Sequence, residues 1–268
     1  MEEQLKSMTN YVLERYYSSC NRERINLQVE YVNDLYARRL ELAYSDRIRN
    51  EVICAKEFIE GLNGTMVLPR KKGDVCYIVM SKNVIGNSQF ISTIIHELTH
   101  IYDFIDFASE FCEDDYEYID IHDLFGPFYF WTEFNARRKG YYYYRDIHLD
   151  LVDEKLSEEE QIKHILQTEL NLHSERLFND LREYLNARNN QFIYSLIQFL
   201  GRFSVWEDLF PEVINSNNHL PDYLKTMYGE KVICLYELLH TMKDFTMGKN
   251  KLVLLRDVLN ELTDEIVA

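Results

Sequence analysis

The sequence predicts an α+β fold, mostly helical with one small sheet, and three observations point to it. Glycine and proline are scarce, 9 and 4 in 268 residues, so few breakers interrupt long helices. Short β-rich runs are confined to the first third of the chain. From about residue 150 onward, apolar residues recur at helical spacing. A 46% hydrophobic and 14% aromatic content in a chain of this length is enough to build a real core.

Residues 65–69 (TMVLP) and 74–80 (DVCYIVM), joined by RKKG, read as a β-hairpin, and residues 26–32 (INLQVEY) as a third strand. An amphipathic helix follows. With Leu98 set at 0° and about 100° per residue, Ile91, Ile94, Ile95, Ile101, Tyr102 and Ile105 fall within about 60° of it. Asn87 or Ser88, after Gly86, would cap its start. Gly126 and Pro127 open another helix, in which Gly140 marks an end or a close contact. Past the charged stretch 150–158, a capping box at Ser157 to Glu160 begins a helix that closes at Asn189 and Asn190. Further helices are expected over roughly 191–209, 222–228, 231–246 and 250–265, with Pro211 and Pro221 between them. The expected organisation is an α+β domain over 1–150 and a helical extension over 151–268.

Formal net charge is -16, which argues against nucleic acid and against anionic membrane surfaces as partners. Five scattered cysteines without a C-x-x-C spacing suggest neither a disulfide framework nor a cysteine metal site. The first residues, MEEQLKSMTN, are acidic and polar where a secretory signal is basic and then apolar, and no apolar run is long enough to span a membrane. A cytoplasmic protein is expected.

Residues 96–100 read HELTH. With 8 histidines, H-E-x-x-H arises by chance in only about 2 or 3 sequences of this composition per hundred. On the helix, His96 and His100 lie one turn apart on one face, about 160° to either side of Leu98, opposite the apolar stripe. Both imidazoles can therefore reach a single zinc ion. Glu97 sits beside it, where a carboxylate can take a proton from the attacking water and pass it to a leaving amine.

A catalytic zinc has a third protein ligand, for which Asp103, Glu110 and Glu133 are candidates. Asp103 shares the histidine face but lies a turn too far along the axis, which suits it to orienting His100 instead. Glu133 lies in GPFYFWTEFNARRKG, with Ala136 and Gly140 within about 60° of it, a small-residue stripe that permits close helix approach. The alternative for Glu133 is a surface pair with Arg137.

HELTH followed by E-x-x-A, Glu133 to Ala136, resembles the Glu-zincin metallopeptidases, and most of all the ImmA/IrrE family. Members of that family are small cytoplasmic zinc metallopeptidases, often of phage or mobile-element context, that cut repressor proteins. The resemblance implies His96, His100 and Glu133 as zinc ligands and Glu97 as the catalytic residue. It covers about residues 65–140, and it departs from the family where RRKGYYYYR follows E-x-x-A and where no helix-turn-helix segment is evident. The expected function is zinc-dependent hydrolysis of a protein or peptide substrate, with the strand over 74–80 pairing to the extended chain. The rivals are a zincin-fold regulatory protein without turnover and a zinc hydrolase of a non-peptide amide. No transition-state stabiliser is assigned; Tyr141 to Tyr144 and His148 follow the ligand helix. The acidic segment 109–123 reads as a solvated loop, or else as a rim or second cation site.

Overall fold

The computed structural model describes residues 2–20, 22–85, 89–151, 179, 191–209 and 222–267. It is mostly helical with a single three-stranded sheet, an α+β protein. By internal contacts the chain divides into two compact units, Met1–His122 with Lys139–Ile147, and Asp123–Arg138 with His148–Ala268. The stretch 123–138 groups with the later part of the chain.

In the first unit the elements are α1 (Glu2–Ser19), β1 (Leu27–Val32), α2 (Leu35–Glu41), α3 (Asp46–Cys54), α4 (Lys56–Glu60), β2 (Gly64–Val67), β3 (Cys76–Ser81) and α5 (Gln89–Phe111). All three expected strands are present. The strand order is β1-β3-β2, with β1 parallel to β3 and β2 antiparallel to it. Gly73 closes the hairpin turn at φ +90°, a left-handed conformation natural to glycine.

The apolar run of β3 is continuous rather than alternating because both of its faces are covered. Cys76, Ile78 and Met80 pack with Leu5, Val12 and Tyr16 of α1 and Ile94, Ile95 and Leu98 of α5. Val79, on the other face, packs with Leu35, Val52 and Ile59 of α2, α3 and α4. Ile78, Val79 and Met80 have no exposed surface at all. Strand β3 is thus hydrogen-bonded on both edges and cannot accept a further strand, contrary to the sequence expectation that residues 74–80 pair with a substrate. Among the described residues the outer edge of β2 pairs with no strand and is met closely by α5: a Cβ on Gly64 would lie 2.9 Å from Thr93 Cγ2 and 2.7 Å from Met80 Sδ.

The acidic segment 109–123 is braced by basic residues. Arg47 of α3 binds the Glu117 carbonyl and, at 2.5 Å, the Asp120 carboxylate, while Lys72 reaches Asp114 at 3.2 Å. His122 packs between the rings of Phe107 and Phe111, at 5.4 and 5.3 Å.

Helix α6 (Phe125–Leu151) runs straight through Gly140, where the sequence left open an end or a close contact. The second unit holds its first turns together with α7 (Gln191–Leu209), α8 (Asp222–Tyr228), α9 (Lys231–Thr241), α10 (Phe245–Gly248) and α11 (Leu252–Val267). From Phe192 to Trp206, only Tyr194 of α7 is not buried, so this helix is the centre of its unit. A Cβ on Gly201 would stand 2.8 Å from the Phe134 carbonyl, which fixes how closely α7 crosses α6. Trp131, fully buried, donates from its indole to the Met242 carbonyl at 2.9 Å. The expected helix over 231–246 breaks at Met242, and Asp244 caps α10 by accepting from Met247 N–H. The expected caps at Asn87 or Ser88 and the helix opened by Ser157 lie outside the described residues. Among the described residues no helix is long and apolar enough to cross a membrane, and the five cysteines are free thiols.

Candidate metal centre

Helix α5 does two things with opposite faces. Ile94, Ile95, Leu98 and Ile101 are sealed into the core, and one turn apart on the far side stand His96 and His100. Their Nε2 atoms face each other at 3.0 Å, with the rings perpendicular. Two imidazole nitrogens bound to one tetrahedral zinc at about 2.0–2.1 Å stand roughly 3.3 Å apart, so this pair is close to the spacing of a chelate.

Glu133 of α6 is the third member. One ligand atom from each of His96, His100 and Glu133 lies within 4.8 Å of the others, all three residues are buried, and no other such group occurs among the described residues. At 5% exposure Glu133 cannot be half of a surface pair with Arg137. Two imidazole nitrogens and one carboxylate, converging on one place, match the donor set of a catalytic zinc site. Glu110 is exposed and outside the group. Asp103 is buried but also outside it, its charge bearing on Tyr16 and Arg22.

Gly140 lies two turns beyond Glu133 on α6, where a Cβ would meet the Ser92 carbonyl oxygen at 2.8 Å. The opposing atom is backbone and cannot swing aside. The glycine is therefore a requirement of close approach to α5, and Gly140→Val is expected to cost roughly 1–3 kcal/mol by overpacking. Chemical denaturation of the two proteins measures it, and an unchanged midpoint would remove this reason for the glycine.

Glu133 is held by its own unit. Gln198 of α7 donates to its Oε2 at 2.7 Å and to the Tyr194 hydroxyl at 2.9 Å, and the rings of Tyr194 and Tyr129 stack at 6.4 Å. Tyr129 and Glu133 on α6 thus face Tyr194 and Gln198 on α7, an i, i+4 pair against an i, i+4 pair. Gln198 is three residues from the Gly201 crossing, which is what brings it within reach. Burial pushes the Glu133 carboxyl up to about 7 from 4.5, against the lowering by Arg137 and by hydrogen bonds from Gln198, Tyr129 and Tyr194. A folded-state value above the unfolded one stabilises the protein at low pH, and this contribution is lost as pH rises toward 7. Without bound cation, the melting temperature of wild type relative to Glu133→Gln is expected to fall between pH 4.5 and about 7 and then level off. A difference that does not vary with pH would refute the assignment.

Glu97 faces the sheet edge. In the β2–β3 pair, Ser81 N–H bonds the Asn63 carbonyl, so by antiparallel alternation Thr65 and Val67 face β3 while the N–H and C=O of Met66 point outward. Glu97 Oε2 accepts the Met66 N–H at 2.8 Å. Arg39 of α2 donates through Nη1 to the Met66 carbonyl at 2.9 Å. Sequence reasoning missed Met66, Arg39 and Gln198, since nothing in their local patterns distinguishes them. Of the tyrosines after Glu133, Tyr143 packs on Tyr16 and bonds Ser19; the side chains of Tyr144 and His148 lie outside the described residues.

Comparison with models of known protein families, with characterised proteins and with solved structures returns no match.

Proposed function

We propose that this chain is a zinc-dependent hydrolase of peptide bonds, of the Glu-zincin kind. The observation that carries the reading is the convergence of His96, His100 and Glu133, with Glu97 one residue from a ligand and bonded to the outward edge of β2. His96, His100 and Glu133 would hold the zinc, which when bound would supply Lewis acidity to a carbonyl oxygen and to water. Glu97 is placed to accept the proton of the attacking water and to deliver it to the leaving nitrogen. The Met66 N–H, bonded to Oε2, fixes the orientation of that carboxylate. The outward N–H and C=O of Met66 are held by Glu97 and Arg39, so an extended peptide lying along β2 would meet these two side chains, and a polypeptide is the substrate class we propose.

Gln198 acts on the site through Glu133. Its loss removes one of the donors that orient the Glu133 carboxylate, and Gln198→Ala is expected to weaken zinc binding by about 10- to 100-fold. Competition with a chromophoric chelator measures this; unchanged affinity would mean that Gln198 only packs. The function itself is tested by incubating zinc-reconstituted protein with denatured polypeptides and counting new amino termini. Zinc-dependent appearance of termini is expected, and none above the metal-free control would contradict the reading.

A further inference from the structure

The proposal concerns Arg39 and rests on the peptidase reading above. In the same unit, Arg22, Arg38 and Arg47 each hold carboxylates: Asp106 at 2.6 Å, Glu30 at 2.6 Å and Asp120 at 2.5 Å respectively. Arg39, adjacent to Arg38, forms no ion pair among the described residues, although acidic residues outnumber basic ones 45 to 29 in the chain. One of its five N–H groups donates to the Met66 carbonyl, and its Nε is buried without a partner. The nearest acids, Glu97 and Glu51, attract it only at a distance; the first is engaged by Met66 N–H and the second by Arg47 at 3.0 Å.

Removing a guanidinium from water without a counter-ion is unfavourable, and bracing one carbonyl does not require a charge. A half-buried cation that no carboxylate contacts, bonded to the residue whose N–H holds Glu97, is instead what anion recognition requires. Arg39, with one hydrogen bond to the Met66 carbonyl and no ion pair among the described residues, has that character. Its place on the outward face of Met66, the residue whose N–H holds Glu97, puts it within a few residues of a bond cleaved at Glu97, at about 3.3 Å per residue of extended chain.

We propose that Arg39 determines specificity by binding a carboxylate of the extended peptide that lies along β2, so that the substrates carry an acidic group close to the cleaved bond. The carboxylate can belong to an Asp or Glu side chain or to the chain terminus. Guanidinium and carboxylate form a charge-assisted hydrogen bond that an amide does not reproduce.

Calorimetry tests this on zinc-loaded protein in a Glu97→Gln background, so that bound peptides stay intact. One probe set is an amidated alanine-based octapeptide with a single Glu or Gln moved through each position. The other is the plain octapeptide as free acid or amide. With Arg39 present, one set is expected to favour the acid over its amide by about 10- to 100-fold, the Glu scan identifying a side chain and the free acid a terminus. Arg39→Gln should abolish the preference, and Arg39→Lys should restore part of it. Equal affinity of acid and amide in both sets, a preference that survives Arg39→Gln, or no binding of any carboxylate peptide at millimolar concentration would overturn the proposal. The same peptides offered to protein with Glu97 intact separate the two readings. Acid-selective binding without cleavage removes the peptidase and keeps Arg39, whereas cleavage blind to charge removes only Arg39.

Discussion

Glu97→Gln is expected to lower peptide hydrolysis by about 10²- to 10⁴-fold while leaving zinc content and fold intact. The amide is nearly isosteric with the carboxylate, and its carbonyl oxygen can still accept the Met66 N–H that Glu97 Oε2 accepts at 2.8 Å. What it cannot do is carry a proton from water to the leaving nitrogen. The variant therefore separates an enzyme from a regulatory protein of the same shape. Reconstituted wild type and variant, assayed on the same denatured polypeptides, should differ by at least two orders of magnitude; equal rates would place the chemistry elsewhere.

Glu133→Ala is expected to weaken zinc binding by more than about 100-fold, and Asp103→Ala by much less. Both carboxylates are buried, so burial does not discriminate between them. Position does. The Glu133 carboxylate lies within 4.8 Å of both histidine nitrogens, whereas Asp103 belongs to no such group. The large effect has two sources: a ligand is lost, and so is the carboxylate whose charge is costly when buried without a cation, as its raised value of about 7 records. Chelator competition on both variants gives the comparison directly, and the reverse order of effects would reassign the third ligand.

The parts of the site that were legible in the sequence are those set by local periodicity. HELTH on an apolar stripe fixed the helix, its buried face and both histidines, and the stripe of small residues around Glu133 pointed to Gly140, whose contact with Ser92 explains it. The hairpin was legible from RKKG between two β-rich runs. Helices α2, α3 and α4 were not, because at 7, 9 and 5 residues they are too short for an apolar stripe to repeat. Arg39 was lost with α2. Which strand lies at the edge of the sheet depends on the order β1-β3-β2, a tertiary fact, and so the sequence pattern of residues 74–80 does not reveal that β3 is the central strand. Gln198 was hidden for another reason: α7 is buried on nearly all sides, and a buried amide in such a helix acquires meaning only from the carboxylate across from it.

The central claim is a zinc ion held by His96, His100 and Glu133, and elemental analysis of protein purified without chelators tests it most directly. One equivalent of zinc per chain is expected, reduced in Glu133→Ala, since three converging protein ligands leave an open fourth position for chemistry. Less than about a tenth of an equivalent in wild type, with no uptake on reconstitution, would contradict it.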